Sequence, residues 1–557
     1  MLPDQHPLGP AGRFAGAALA QIWGLPPART MALVERDLPV EMRDGAVLLA
    51  DHYAPAGLPE RPTVLLRTPY GRGFLAAGMV GEVLAARGYH VLAVSSRGTF
   101  GSAGRFQPMR TEAQDGQDVV VWLRRQSWFD GRLATWGASY LGFTQWALAS
   151  DPPPELRAMI VAVGLHDIPQ AGRGHGPLEL LNLLTWADVV AHQERLNPFL
   201  ATARTLLAEQ RLGPLLRQLP LDTASARLGG DPLPFYREWV DNEQPDDPYW
   251  DQGYRMGEAL QRVQVPTLLV GGWYDWFIDQ TLEQYTTLRR RGVPIRLVVG
   301  PWTHIQVNQQ ILLTETLAWL DAQVTGQGSP PPRAPVRIFV TGADSWLDTA
   351  DWPGSRVRAE PWYLGSGGRL TPEAPDLEEG SSTFRYDPSD PTPSVGGRTM
   401  LPSGGPQINT SLEARPDVLT FSTAPLEGPL ELRGQPQAIL QMAVDNPAVD
   451  VFCRLCDVDR DGVSWNVSDR ILRRNGSVGE VGRVETVHIS LDPLAHRFLP
   501  RHRIRLQISG GAFPRYARNL GTGDPEASGE AMRVSRQTVY FDRDHPSSIS
   551  LPVVRLE

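Results

Sequence analysis

Ser139, Asp275 and His304 are three side chains whose types, order and settings add up to one chemistry. Ser139 stands at the apex of Leu133-Ala-Thr-Trp-Gly-Ala-Ser-Tyr-Leu-Gly142, an apolar run that reads as a short strand turned tightly into a helix. A serine hydroxyl attacks a carbonyl only when a base takes its proton. It must therefore be lifted clear of the strand, toward a histidine and within reach of backbone N–H groups. Gly137 lies two positions before the serine, as a nucleophile elbow requires; the usual glycine two positions after is Leu141, and Gly142 follows one place late. Val265-Pro-Thr-Leu-Leu-Val-Gly-Gly-Trp-Tyr-Asp275 is an apolar strand with an acid just past its end, and Pro294-Ile-Arg-Leu-Val-Val-Gly-Pro-Trp-Thr-His304 repeats the design with a histidine. Singly, each would pass for a loop aspartate or a structural histidine. In the order serine, acid, histidine they match α/β-hydrolases, and three strand-end residues can meet at the carboxyl edge of a parallel sheet. The backbone N–H of Tyr140, directly after the nucleophile, is then one oxyanion donor.

The elements that must position these residues follow from the patterning. Residues 1–33 form an N-terminal extension expected to be helical, from the apolar stretch Phe14 to Leu25. Over 34–164 short apolar strands alternate with helical stretches, the signature of an α/β sheet. Leucine-rich helical spacing replaces the strands over 165–262, which predicts a helical cap, and the α/β pattern resumes over 263–325 with Asp275 and His304. The Pro- and Gly-rich stretch 326–334 reads as a linker. Beyond it, 335–557 is a series of short strands beginning with Val336 to Thr341, an all-β sandwich. The fold class is thus an α/β-hydrolase with an inserted helical cap and a C-terminal β domain.

Gly-Ala-Ser139-Tyr-Leu-Gly, Gly-Gly-Trp-Tyr-Asp275 and Gly-Pro-Trp-Thr-His304 closely resemble the superfamily of cocaine esterase, α-amino-acid ester hydrolases and X-prolyl dipeptidyl peptidases. The resemblance runs on through Arg67-Thr-Pro-Tyr70, the loop Arg97 to Gly104, Glu112 to Asp118, Pro335 to Asp344, Asp351-Trp-Pro353, Leu455 to Asp459, Arg503 to Leu506 and Phe513-Pro-Arg515, nearly the whole chain. It implies a jelly roll for the β domain, a Ser139–His304–Asp275 triad and the phenol of Tyr70 as second oxyanion donor. Ser95-Ser96 depart from the Gln-Asp pair common in relatives, which implies that a local salt bridge is missing. Relatives that take a free α-amino group hold it with carboxylates placed partly just after the catalytic aspartate. Here Trp276, Phe277 and Ile278 occupy those places, with Asp279 close by, which points to acyl groups without an ammonium. Trp273, Trp276, Phe277 and Trp302 flank the catalytic residues and are expected to line an acyl pocket that Trp186 of the cap closes.

Composition narrows the field. The 557 residues carry 62 acidic and 53 basic side chains, a net charge of −9, which argues against wrapping nucleic acid or clinging to anionic lipid. Every basic side chain is arginine. This removes a Schiff-base lysine, a pyridoxal-phosphate anchor and the lysine of a phosphate-binding loop, so no cofactor is expected and Arg97 to Gly104 is read as a rim loop. Cys453 and Cys456 are expected to be buried in a strand. Asp457 to Gly462 is read as a hairpin turn, since Ser468 stands where a calcium loop needs its bidentate glutamate, and no metal is expected. No run approaches the roughly 20 apolar residues of a membrane span, and with two cysteines a cytoplasmic location is the default. The expected partner is a small-molecule ester or amide, and a homodimer is compatible with the sequence. The leading reading is a carboxylic ester hydrolase. Its rivals are an acylase or X-prolyl dipeptidyl peptidase cutting amides, and a glycan-binding protein whose hydrolase domain is idle.

Overall fold

The computed structural model describes residues 6–7, 21–73, 77–196, 198–230, 233–326, 334–376, 378–475 and 482–555. Its first sheet holds β1 (His6–Pro7), β2 (Ala32–Glu41), β3 (Val47–Pro55), β4 (Arg61–Thr68), β5 (His90–Ser95), β6 (Phe129–Ala138), β7 (Leu156–Ala162), β8 (Thr267–Tyr274), β9 (Ile295–Thr303), β10 (Val336–Val340) and β11 (Ser345–Thr349). They lie in the order β1-β2-β3-β5-β4-β6-β7-β8-β9-β10-β11. Pairing is parallel from β5 through β4, β6, β7, β8 and β9 to β10. Helices bracket the sheet: α1 (Met79–Ala85), α2 (Glu112–Leu123) and α3 (Tyr140–Ala149) precede an insertion of α4 (Ile168–Arg173), α5 (Leu180–His192), α6 (Pro198–Leu206), α7 (Ala208–Leu216), α8 (Pro234–Asp241) and α9 (Ala259–Arg262), after which come α10 (Ile278–Arg290) and α11 (Gln309–Leu320).

The near-continuous apolar runs of the central strands follow from burial on both faces, since parallel strands connected through helices are covered on each side. All eight residues of β8 are buried. Alternate side chains enter separate cores: Val64 and Leu66 of β4 pack with Val83 of α1 and Leu313 of α11, whereas Leu65 packs with Val119 and Leu123 of α2. Open parallel sheets collect ligands beyond the carboxyl ends of their strands. Ser139 follows β6, Asp275 follows β8 and His304 follows β9.

One expectation about organisation changes. Val336–Val340 belongs to the first sheet, where it pairs parallel with β9, Val336 opposite Leu297, and antiparallel with β11. Five alternating residues after a Pro-rich stretch announce a strand without saying which sheet takes it. The linker residues 327–333 lie outside the described residues, as does most of the N-terminal stretch read as a helix. Of the latter, His6–Pro7 is a strand on β2 and Gln21–Ile22 is helical. Among the described residues the second sheet has thirteen strands, from Val357–Gly365 to Ser548–Val554, around a core that includes Phe421, Leu455, Leu506 and Val539. Ala448–Val458 and Ser464–Asn475 form the hairpin read at Asp457 to Gly462, and both cysteines are buried and in no disulfide. Among the described residues no helix is long and apolar enough to cross a membrane.

Candidate active site

β6 ends at Ala138, and the chain reverses through Ser139 at φ 59° and ψ −123° before α3 begins at Tyr140. A non-glycine residue holds such a conformation only where its surroundings force it. Here the Ser139 N–H is fixed to the Ala162 carbonyl of β7 at 3.0 Å. The flanking glycines make the turn sterically feasible. A Cβ on Gly137 would stand 2.2 Å from that of Leu141, and one on Gly142 would stand 2.6 Å from the Cα of Gly164. The late glycine of the elbow is therefore the point where α3 crosses the chain beyond β7.

Ser139 Oγ lies 2.8 Å from His304 Nε2, and His304 Nδ1 lies 2.7 Å from Asp275 Oδ1. Asp275 is fully buried, at 0 % exposure. Such a line can pass the hydroxyl proton to the imidazole while the carboxylate fixes the tautomer and stabilises the imidazolium. The N–H of Tyr140, at the start of α3, is among the first four of the helix and has no acceptor within it. The Tyr140 phenol donates to Glu112 Oε1 at 3.0 Å and accepts from the Met109 N–H at 2.7 Å. Glu112 also accepts from Ser96 Oγ at 2.8 Å and pairs with buried Arg67 at 3.0 Å. Burial raises the Glu112 pKa, with Arg67 opposing. Thus Ser96 is hydrogen-bonded into a buried ion pair beneath the site, and Arg97 has ion pairs to Asp115 at 2.6 Å and Asp44 at 2.8 Å. The Tyr70 phenol accepts from Trp186 Nε1 at 2.9 Å. Burial pushes its pKa up to about 12, with Trp186 and Ser139 pulling the other way, so it is protonated at neutral pH.

A cavity of about 20 Å³ opens beside Ser139 and His304, lined by Tyr70, Tyr140, Trp186, Trp276 and Phe277, together with Met109, Leu165, Ile168, Trp239 and Met400. Phe277 meets the His304 ring edge-on at 5.1 Å, and Trp276 is anchored by its N–H to the Ala171 carbonyl at 3.0 Å. Trp273 and Trp302, expected in the same wall, do not line this cavity. Trp273 donates to the Phe339 carbonyl at 2.7 Å and packs 5.0 Å from the Trp352 ring. Trp302 covers Gly272 and Gly300, whose added Cβ atoms would stand 2.2 Å from its carbonyl oxygen and ring respectively. Both tryptophans lie inside β8 and β9 and pack among neighbouring strands, whereas Trp276 and Phe277 come after the strand end. Leu165, Ile168, Met109, Trp239 and Met400 carried no signal in the sequence beyond apolarity.

Asp279 lies outside the cavity lining, in a separate cleft of about 620 Å³. Arg398 and Arg470 pair with it at 2.8 and 3.0 Å. Burial opposes its charge, yet the two guanidiniums hold its carboxyl well below the usual range. Among the described residues no group of three or more His, Cys, Asp or Glu is placed to hold a metal.

A parallel sheet with an inserted helical segment, a nucleophile elbow after β6 and a Ser–His–Asp line at its carboxyl edge define an α/β-hydrolase of the serine class. Residues 44–306 match the X-Pro dipeptidyl-peptidase (S15 family) and residues 331–550 the X-Pro dipeptidyl-peptidase C-terminal non-catalytic domain. The chain is 30% identical to cocaine esterase of Rhodococcus sp. (strain MB1 Bresler) over 94% of its own length and 99% of that protein's, and 24% identical to a putative serine esterase of Mycobacterium bovis over 93% and 95%. Solved structures with the same fold include an aminopeptidase from a marine sediment archaeon (Thaumarchaeota), with a TM-score of 0.81, 23% identity and coverage of 94% and 97%. An α-amino acid ester hydrolase gives a TM-score of 0.78, with the same identity and coverage. The chain belongs to the S15 family that includes cocaine esterase, and it is a serine hydrolase, an esterase or a peptidase.

Proposed function

We propose that this protein hydrolyses carboxylic esters through an acyl-enzyme on Ser139, with a preference for compact acyl groups that carry no free α-amino group. The observation that carries the reading is the continuous hydrogen-bonded line from Ser139 through His304 to buried Asp275. His304 takes the hydroxyl proton as Ser139 adds to the acyl carbon and returns it to the leaving alkoxide; a second round with water frees the acid. Asp275 steadies the imidazolium. The Tyr140 N–H and the Tyr70 hydroxyl receive the oxyanion. The acyl group enters the cavity among Trp186, Trp276, Phe277, Trp239 and Met400. Among the described residues no carboxylate lines that cavity to offset the cost of burying an ammonium, and Asp279 is already committed to two arginines. The likeness to cocaine esterase supports the ester reading; the family's peptidase members keep amide cleavage as its competitor.

The test is turnover of p-nitrophenyl acetate, butyrate, octanoate and benzoate, with a glycyl ester and its anilide, by wild type and Ser139→Ala. The expected result is activity on the short-chain esters, poor turnover of glycyl compounds, and a loss of about 10⁶-fold in the variant. Faster turnover of an anilide than of its matched ester makes the protein an acylase or peptidase. Equal inertness of folded wild type and variant overturns the hydrolase site itself and leaves glycan binding to be tested.

A further inference from the structure

Trp186 reaches from α5 in the helical insertion to the catalytic centre, and its surroundings are unusual for a residue that only fills space. Its ring is nearly parallel to that of Tyr140, at 6.3 Å and 17°, and to that of Trp239 in α8, at 5.7 Å and 4°. Phe235 packs at 5.3 Å. The ring is therefore held against rotation by aromatic partners from both the elbow and the insertion. Held this way, its N–H points at the Tyr70 oxygen, 2.9 Å away.

An indole N–H can only donate, and a phenol has one hydrogen and two lone pairs. When Trp186 occupies a lone pair of Tyr70, the phenol cannot spend its own hydrogen on Trp186. The hydrogen is left for the cavity that the phenol lines together with Ser139. A hydroxyl that accepts a hydrogen bond also becomes a better donor, because chained hydrogen bonds polarise one another. Both effects act on the atom assigned to the oxyanion.

We propose that Trp186 is a positioning residue for the reaction: its indole N–H aims and strengthens the Tyr70 hydroxyl, so that the oxyanion hole is complete only when the helical insertion is seated. This inference rests on the reading of Tyr70 as an oxyanion donor. It makes the insertion a determinant of kcat as well as of acyl fit. A contact that served only the pocket would act mainly through KM, because it would stabilise substrate and transition state alike.

The experiment is a double-mutant cycle on the full chain, with an ester that wild type turns over. Replacing Trp186 with 3-benzothienylalanine keeps the ring shape and exchanges the N–H for sulfur, which protects the comparison from misfolding; Trp186→Phe is the genetically encoded companion. Tyr70→Phe alone is expected to lower kcat by about 10²- to 10³-fold. The benzothienyl variant is expected to lower kcat by about 10-fold with KM unchanged, and to have no further effect in the Tyr70→Phe background, the non-additivity of residues that act together. An equal fractional loss in both backgrounds, or a loss confined to KM, makes Trp186 a pocket residue and overturns the inference while Tyr70 keeps its role. If Tyr70→Phe leaves kcat intact, the oxyanion reading of Tyr70 falls and the inference falls with it.

Discussion

The backbone of Ser139 gives a stability test that is independent of any substrate. At φ 59° and ψ −123° the residue lies where a Cβ clashes with its own backbone, and such a conformation costs of order 1–3 kcal/mol. Glycine has no Cβ and adopts it freely, but it loses about 0.5–1 kcal/mol relative to alanine through the entropy of the unfolded chain. The difference leaves Ser139→Gly more stable than Ser139→Ala by about 1 kcal/mol, although glycine is elsewhere the weaker residue. Alanine is the proper reference, because both variants lose the hydroxyl and its bond to His304. The assay is urea unfolding followed by tryptophan fluorescence, with Trp136 in β6 and Trp146 in α3 flanking the turn. The glycine variant should unfold a few tenths of a molar later than the alanine variant, with the same slope. Both should be inert on esters. A glycine variant that unfolds earlier than the alanine variant would refute the strain argument, and with it the idea that β7 and α3 force this turn on Ser139.

Two further outcomes follow from the buried charges. Asp275→Asn keeps the side-chain shape 2.7 Å from His304 Nδ1 but removes the charge that stabilises the imidazolium, so kcat should fall about 10⁴-fold with near-ultraviolet circular dichroism unchanged; a loss under tenfold would remove Asp275 from the mechanism. Glu179 precedes α5, and burial pushes its carboxyl from an ordinary value of 4.5 up to about 7, against the pull of Arg515 and Arg398. A raised value means that the stability tied to the protonated form is fully present below about pH 4.5 and is lost as pH rises through about 7. Glu179→Gln should therefore resemble wild type at pH 4.5 and exceed it at pH 8 by up to about 3 kcal/mol in urea unfolding, since each tenfold change in proton affinity is worth about 1.4 kcal/mol. A difference that does not change with pH would show that the burial of Glu179 is offset in the ionised state.

The sequence made the reactive residues legible because they follow strands. Apolar runs that end in Gly-Ala-Ser139, Tyr-Asp275 and Thr-His304 announce both the strand and the exit from it, and in the structure these three side chains lie within hydrogen-bonding distance in series. The walls were less legible, and the tryptophans explain why. Trp273 stands two residues before Asp275 and Trp302 two before His304. Two residues along a strand is about 6.6 Å deeper into the sheet, where the neighbours are other strands; Trp276 and Phe277, past the end of β8, are free to turn toward the cavity. Sequence adjacency does not separate these cases unless the last residue of the strand is known. Met400 and Arg398 were invisible for a different reason. They come from a stretch with few regular elements more than ninety positions beyond His304, and its only pattern is Pro and Gly.

That distant stretch gives the β-rich half a share in the site. Asp279 is the carboxylate the sequence offers nearest to Asp275, and an unpaired acid there would suit a substrate ammonium. Arg398 and Arg470, both supplied by residues beyond the linker, take it up, and the same two arginines pair with Asp492 at 2.7 and 2.9 Å. Arg515 and Arg454 extend the cluster to Asp469 at 2.6 and 2.8 Å, and Arg515 stands 3.9 Å from Glu179. Four guanidiniums thus face four carboxyl groups, Glu179, Asp279, Asp469 and Asp492, in a seam among α10, the start of α5 and the second sheet that is buried except at Asp279, which opens onto the cleft. Such a seam adds little stability over an apolar one, because desolvation consumes most of the attraction. It does fix register, since a shift of one partner would leave a charge buried and alone. The first turn of α10 is pinned this way four residues past Asp275, and Met400 is carried to the cavity two residues past Arg398. On the proposed reading the C-terminal half therefore acts on acyl selectivity twice, by cancelling a carboxylate that would have welcomed an amine and by closing the apolar wall that an uncharged acyl group requires.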